Sequence, residues 1–394
     1  MSSTREGLEA ALAATPDDAA THAAYADLLI EEDDPRGEFI RLQLALEDRD
    51  QAAERLRAME QKAYQLRQQH EREWLGPLGP HVFPERRVRS VDDMVSTNVE
   101  VTWWRGWVHA IRIHHLTEAN RDALAEAPIA RLLQELEVRR NDVAPTDRRQ
   151  VPIFTELTPL GKSPNVRNLR RIVFGSEATW HLLSFDDDVG DLVRRTPHLE
   201  HLFIQAHGFI PTPVFSAKLP HLRSLHVTSS DHRLPIAILG LNATLGQLQR
   251  LHLDLVQFMP ADPSDPETQR EPFIPSDFTL FFESESLTGL RHLALRMPGF
   301  GDAGVESLLA SPMIARLEGL DLCRCEITDE GAELLARHPR IADLEFLHLD
   351  NNYLSPVGID ALAAVGVVVS ERQFFAGGWQ VDDEDFADGG EIPF

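Results

Sequence analysis

The sequence predicts an α/β solenoid, a parallel sheet on its concave side with helices outside, preceded by a small all-α domain. Three observations carry that expectation. An apolar triplet, Leu-x-x-Leu-x-Leu, returns along the chain from about residue 108 onward. Its last three copies recur in phase every 27 residues. Before residue 80 the apolar positions instead follow a helical period with capping residues at the boundaries.

The chain has 394 residues, 43% of them hydrophobic, which is ample for a sizeable core. A stacked array adds units without adding separate cores, so length alone does not set the domain count. The formal net charge is −25. A polyanion repels phosphate backbones and anionic membrane surfaces, so neither nucleic acid nor a membrane is the expected partner. Basic stretches are short, as at Arg139-Arg140 and Arg170-Arg171. The only cysteines, Cys323 and Cys325, exclude a disulfide framework and allow a reducing compartment. No signal-peptide apolar region opens the chain, and no run approaches 18 uncharged apolar residues. A cytoplasmic protein without a transmembrane helix is expected.

The first helix follows from Leu8, Ala11 and Leu12, and Pro16 ends it. The second runs from about Asp18 to Ile30, before the acidic turn 31–34. Asp34 caps a third helix with Pro35 at its first position, where the missing N–H costs nothing. That helix is expected to continue to about Trp74 through Leu42, Leu46, Ala53, Leu56, Met59, Ala63 and Leu66, until Gly76-Pro77 and Gly79-Pro80 stop it. The helical domain therefore spans 1–80.

The runs Leu8-Glu9-Ala10-Ala11-Leu12, Tyr25-Ala26-Asp27-Leu28-Leu29 and Asp34-Pro35-Arg36-Gly37-Glu38-Phe39-Ile40-Arg41-Leu42-Gln43 resemble the "repeat-companion" domain. That domain precedes leucine-rich repeats in many bacterial proteins. The resemblance implies a repeat protein and no reaction. Tyr25, Asp27, Arg36, Glu38 and Arg41 read either as a polar site or as caps and ion pairs that lock three helices together.

Copies of the triplet begin near Val108, Leu133, Leu169, Leu199, Leu222, Leu248, Leu290, Leu317 and Leu344. In the last three, Leu293/Leu320/Leu347, Leu295/Leu322/Leu349, Gly304/Gly331/Gly358 and Leu308/Leu335/Leu362 are equivalent. One unit cannot bury its own leucines, whereas stacked units share an interior. The second half of each unit, such as residues 329–336, is the outer helix. Cys325 and Asn352 occupy the place where the leucine-rich-repeat pattern takes Asn or Cys. The long unit resembles the ribonuclease-inhibitor-like class. The solenoid spans 81–370. Residues 259–286, rich in proline and acids, read as an inserted loop whose Phe273, Ile274, Phe278, Phe281 and Phe282 pack on the array or meet a partner. Residues 371–394 form an acidic C-terminal tail. Trp103, Trp104 and Trp107 read as the cap of the array's open end.

Catalytic signatures are weak. Gly299-Phe300-Gly301-Asp302-Ala303-Gly304 has dinucleotide-fingerprint spacing, but the repeat already explains Gly304 through Gly331 and Gly358. The tail's acids break calcium-loop register. No catalytic residue, cofactor or metal is expected. Side chains alternate along a strand, so residues flanking the inward leucines face the concave surface. That places Phe203, His226, Arg250, His252, His292, Arg296, Asp321, Phe346, His348 and Asp350 on a partner-binding face. His226 and His252 share a column, where paired imidazoles either bind zinc or form a solvated row. The expected function is a non-catalytic adaptor that binds a protein on this face. The alternative is an enzyme or accessory subunit with a site where the helical domain meets the first repeats, built from Trp103, Trp104, Trp107, His109, His114 and His115.

Overall fold

Capping fixes the first helices of the computed structural model, which describes residues 3–84, 98–139, 156–175, 188–206, 209–229, 234–255 and 275–368. Helix α1 spans Ser3–Ala14, α2 Ala19–Glu31 and α3 Pro35–Glu47. The Asp18 carboxylate accepts from the Ala20 amide, and Asp34 from the Arg36 amide, so each satisfies an orphan donor at a helix start. The expected long third helix is two. α3 ends at Glu47 and α4 spans Ala53–Leu75. The break has a local cause. The Asp48 carboxylate takes the Asp50 amide, and Gln51 Nε2 donates to the carbonyls of Ala45 (2.7 Å) and Asp48 (3.1 Å). Short polar side chains here compete for backbone groups that a continuous helix would pair. A short α5 (Gly79–Val82) follows.

Two compact units make up the chain: Met1–Phe174 with Asp191–Leu199, and Gly175–Gly190 with Glu200–Phe394. The first contains the helices above and four strands. β1 (Val99–Trp104) and β2 (Trp107–Ile113) form an antiparallel hairpin, and β3 (Glu135–Val138) and β4 (Arg171–Phe174) add in parallel. Helices α6 (Glu118–Glu126) and α7 (Thr158–Lys162) connect them. The hairpin turn is left-handed at Arg105 (φ 48°) and Gly106 (φ 75°), as a two-residue turn between right-twisted strands requires. Its tip lies on α3: a Cβ on Gly106 would stand 2.2 Å from Ile40. Gln43 accepts the Gly106 amide at 2.6 Å. Arg105 binds both oxygens of Glu47 (2.6 and 2.8 Å) and the Asp17 carbonyl.

The tryptophans complete that junction. Trp107 stacks on Tyr25 at 5.5 Å, with the Arg36 guanidinium over both rings. Trp103 lies against Phe39 and Trp74 and donates to Glu71 at 2.7 Å. Inter-helix pairs Arg41–Asp27, Lys62–Glu38 and Tyr25–Glu9 bind the bundle. The locking reading of these polar residues thus accounts for their contacts.

The chain then passes through α8 (Asp188–Val193). The second unit stacks β5 (His201–Ala206), β6 (Ser224–Ser229), β7 (Arg250–Leu255), β8 (His292–Arg296), β9 (Gly319–Asp321) and β10 (Phe346–His348), all parallel and in chain order. The middle leucines align strand to strand as Leu202, Leu225, Leu251, Leu293, Leu320 and Leu347. None is more than 7% exposed. Each buried leucine is worth roughly 1.5–3 kcal/mol relative to an exposed one. Intervening segments supply α9 (Pro211–Phe215), α10 (Ile236–Leu241), α11 (Pro275–Phe282), α12 (Gly301–Leu309), α13 (Asp329–Arg337) and α14 (Pro356–Ala363). α11 lies inside the span read as an inserted loop. Its Phe278, Phe281 and Phe282 are buried, so this part is a regular outer helix of its repeat. Phe273 and Ile274, and the tail, lie outside the described residues.

Two side-chain ladders fix the repeat turns. Asn352 is fully buried; its Oδ1 accepts the amides of Cys325 and Ile327, and its Nδ2 donates to the carbonyls of Leu322 and Leu349. In the equivalent place Cys325 Sγ donates to the Leu295 carbonyl. On the outer side, Asp302 accepts the amides of Thr328 and Gly331, and Asp329 those of Ser355 and Gly358. Each acid caps the next repeat's helix, where a carboxylate near the N-terminus is favourable. A Cβ on Gly331 would lie 2.3 Å from Asp302 Oδ1, which explains the recurring glycine.

Candidate functional site

The open face of the second unit, opposite its outer helices, carries three rows of side chains. The central row follows the leucines by one residue: Phe203, His226, His252, Ala294, Asp321 and His348. Neighbouring parallel strands are about 4.8 Å apart, so these side chains touch in sequence. The Phe203 and His226 ring centroids are 4.2 Å apart, and those of His226 and His252 4.0 Å. On the row one residue earlier, His292 stacks on Phe346 at 5.9 Å and 10°. Those two rings cross β9 because Gly319 lies between them: a Cβ there would meet the Phe346 ring at 2.3 Å.

Two carboxylates lie beneath this surface. Asp321 is 0% exposed and accepts from Arg296 Nε (3.1 Å) and Nη2 (2.7 Å) and from the Cys323 amide (3.0 Å). Its distance to His348 Nδ1 is 3.8 Å. Asp254, 5% exposed, accepts from Arg324 Nη2 at 2.6 Å, with Arg296 and His252 each 3.9 Å away. Burial pushes both acids up, but the surrounding cations and hydrogen bonds outweigh it and hold them below the usual carboxylate range. The nearby Asp321 carboxylate raises His348 above its ordinary value. Burial, aided by His252 and Arg296, lowers His226 well below its own. Burial also raises both cysteine thiols, which disfavours the reactive thiolate.

All ten residues expected on this face lie in the second unit, and most are in mutual contact. Two are corrected as contact residues. Asp321 and His226 are buried at 0% and 6%, because Arg296 and His348 close over the one and rings flank the other. Phe203, Arg250, His252, His292, Arg296, Phe346 and Asp350 are half-buried, and His348 is exposed. Asp254 and Arg324 belong to the same cluster, and the sequence reading passes over both. Asp254 has a legible signal, since it holds the place in its repeat that Arg296 takes in the next, its partner in register. Arg324 has none: it reaches the face from a left-handed turn (φ 57°).

A dent of about 10 Å³ on this face is bordered by Arg250, His252, His292, Ala294 and Phe346. That is room for about one water molecule. Among the described residues no group of three or more His, Cys, Asp and Glu is placed to hold a metal; the His226 and His252 rings lie 4.0 Å apart, tilted by 32°. The fingerprint-like turn is also occupied. The Gly299 amide donates to Glu326 and the Gly301 amide to the Cys325 carbonyl. No described helix is long and apolar enough to cross a membrane.

The alternative site fares differently. Trp103 and Trp107 are 8% and 2% exposed, buried by packing on the bundle. Trp104 lies between His22, His109 and the Arg105 guanidinium, and His114 pairs with Glu100. An open recess of about 470 Å³ in the first unit is lined by Gln68, Glu71, Arg72, Phe83 and Pro84. None of the tryptophans or histidines named for a junction site borders it.

Residues 317–336, spanning β9 and most of α13, match the Leucine Rich repeat family. Among solved structures, a protein from Bacteroides fragilis is 16% identical over 65% of this chain and 70% of its own, with a TM-score of 0.47. An internalin from Listeria monocytogenes is 14% identical over 69% of this chain and 86% of its own, with a TM-score of 0.27. Neither likeness adds to what the aligned strands themselves show. No curated protein matches the sequence.

Proposed function

We propose that this leucine-rich-repeat chain is a non-catalytic, cytoplasmic adaptor that binds a partner protein across the open face of β5–β10. The observation that carries the reading is the composition of that face. Rings, imidazoles and guanidiniums are held in place by buried carboxylates, beside a dent of about 10 Å³. Such a surface is about 24 Å across six strands, the scale of a protein contact. Half-exposed Phe203 and Phe346 at its two margins are the kind of aromatic anchor that dominates protein interfaces. The net charge of −25 opposes a nucleic-acid partner. Two free cysteines suit a reducing compartment. The helical segment, with its companion-domain resemblance, serves as the cap of the first strands, a role supported by Trp103, Trp107 and Arg105.

The test is affinity capture from the source cells with Phe203→Ala, Phe346→Ala and His348→Ala, separately and together. Loss of one anchor should weaken retention by about 30-fold, the effect of a 2 kcal/mol interface residue. Capture that survives the triple variant unchanged removes this face from the partner site.

A further inference from the structure

We propose that Asp350 is the seat for a cationic side chain, an arginine or a lysine, that the partner protein brings to the β10 margin of the open face. That the cation comes from a partner rests on the functional reading above; the isolation of Asp350 does not.

Each other acid of the face has a partner within the chain. Asp254 is held by Arg324 at 2.6 Å and Asp321 by Arg296 at 2.7 Å. At the margins Glu200 lies 3.6 Å from Arg223, Glu318 3.6 Å from Arg291 and Glu345 3.8 Å from His292, and Glu326 accepts the Gly299 amide. The Asp350 carboxylate is half-buried, yet among the described residues it has neither an ion pair nor a hydrogen bond. Its place explains why. β10 is the last strand of the described sheet, so Asp350 has a strand on one side only. Its neighbour there is Cys323, since the pairing of His348 with Asp321 continues to the Arg324 amide on the Asp350 carbonyl. Burial keeps Cys323 a neutral thiol. Arg296, the guanidinium of that row, is two strands away, about 10 Å.

A half-buried carboxylate has lost part of its hydration, and a counter-charge arriving there gains more than at a fully solvated acid. A guanidinium matches it with two charge-assisted hydrogen bonds. The net charge of −25 draws cationic partners toward the chain and repels anionic ones. Phe346 stands four residues earlier, at most about 14 Å away. An interface that anchors on its half-exposed ring therefore covers Asp350 as well.

His348 lies between the two. Asp321 from β9 and, more weakly, Asp350 raise its proton affinity; burial and Arg296 from β8 oppose them, and Phe346 beside it is uncharged. A cation on Asp350 cancels that acid's share, so His348 releases its proton more readily. By linkage the cation binds more tightly at pH 8 than at pH 6.

The experiment uses the full-length chain with 13C-labelled histidine, the His348 ring signal being assigned by its loss in His348→Gln. N-acetylarginine amide is titrated in at constant ionic strength, with N-acetylcitrulline amide as the uncharged control. A saturable shift of the His348 signal is expected, with a dissociation constant on the order of 1 mM, a lowered His348 titration midpoint, and no response to citrulline. Asp350→Asn breaks no internal bond and should weaken binding about tenfold, the effect of one hydrogen bond to a charged group. Asp350→Glu should retain most of it, and Glu330→Gln on α13 should leave it unchanged. No saturable shift, an equal shift with citrulline, or binding indifferent to Asp350→Asn overturns the proposal. Asp350→Lys should also abolish retention of the partner captured through Phe203 and Phe346. If arginine fails to bind while capture still depends on those rings, the cation seat falls and the adaptor reading stands. If arginine binds while capture ignores both rings, the adaptor reading falls alone.

Discussion

Replacing Asn352 by alanine tests whether the repeat turns depend on one buried amide. The side chain is 0% exposed and supplies four hydrogen bonds to backbone groups, at 2.8–3.0 Å. Alanine fills none of them, so two amides and two carbonyls each lose a partner. At about 1 kcal/mol per buried group deprived of its partner, the loss is about 4 kcal/mol. A multi-unit chain has no single unfolding free energy, so the readout is local. Amide hydrogen exchange at Cys325 and Ile327, both bonded to Asn352 Oδ1, should accelerate by about 10³, while amides of α2 in the first unit keep their rates. Asn352→Cys is the informative companion. Cys325 in the equivalent place makes one such bond, from Sγ to the Leu295 carbonyl at 2.7 Å. That variant should recover about 1 kcal/mol, roughly a fivefold slower exchange than the alanine variant. If Cys325 and Ile327 exchange at native rates in Asn352→Ala, or if cysteine is no better than alanine, the turn is held by something else.

Gly331→Ala places a Cβ 2.3 Å from Oδ1 of Asp302, whose carboxylate already accepts three donors of the next repeat, two of them on Oδ1. Thermal unfolding should report a loss of about 2 kcal/mol, whereas Gly7→Ala, with nothing within 4 Å, should be neutral or slightly favourable. His226, lowered first by burial, leaves the folded chain refusing a proton that the unfolded chain accepts below about pH 6.5. Stability therefore falls with acid by at most about 1.4 kcal/mol per pH unit, and His226→Phe should flatten that slope in denaturation curves. His348 has the opposite sign: raised by Asp321, its contribution is complete below about pH 6.5 and disappears as pH rises through the folded value, so His348→Gln should remove a loss on the alkaline side. Arg105→Asn keeps the left-handed turn but drops the paired bonds to Glu47 and the Asp17 carbonyl. Exchange at the tip of the β1–β2 hairpin should rise by about tenfold, and unchanged exchange would detach the hairpin's stability from the bundle.

The strands were legible because their signal is periodic and set by burial. Leu293, Leu320 and Leu347 cannot be moved by one residue without turning to the other face, so the pattern alone fixes their register. Helix starts were legible for a similar reason, since Asp18 and Asp34 cap by local geometry. The break at Asp48–Gln51 was not: an apolar stripe runs on through it, and only the competition of Asp48 and Gln51 for backbone groups interrupts the helix. The face was legible as a set of positions but not as a surface. Alternation puts Asp321 and His348 on the same side, yet says nothing about which is covered. Arg296 closing over Asp321, and Arg324 reaching Asp254 from 70 residues away, are tertiary facts without a local signature.

The two units use the same strand for different ends, and the contrast bears on why the second face exists. On the first unit's strands, Arg112 bridges Glu100 and Glu137, and Arg139 takes Glu137, with side chains 16–47% exposed. Exposed pairs of that kind contribute roughly 0–1 kcal/mol and are easily replaced. The second unit instead buries Asp254 and Asp321 almost completely, at a desolvation cost of several kcal/mol each before their cations offset it. The leucines already close the repeat interior, and apolar side chains in these columns would stack as well, so closing the interior does not by itself call for the acids. What the arrangement does supply is two guanidiniums and an imidazole fixed in orientation before any partner arrives, which lowers the ordering cost of binding. The acids thus make sense as supports for a recognition surface, and apolar replacement of Asp254 and Asp321 together with their partners Arg296 and Arg324 should leave the repeats folded while removing the groups that binding uses.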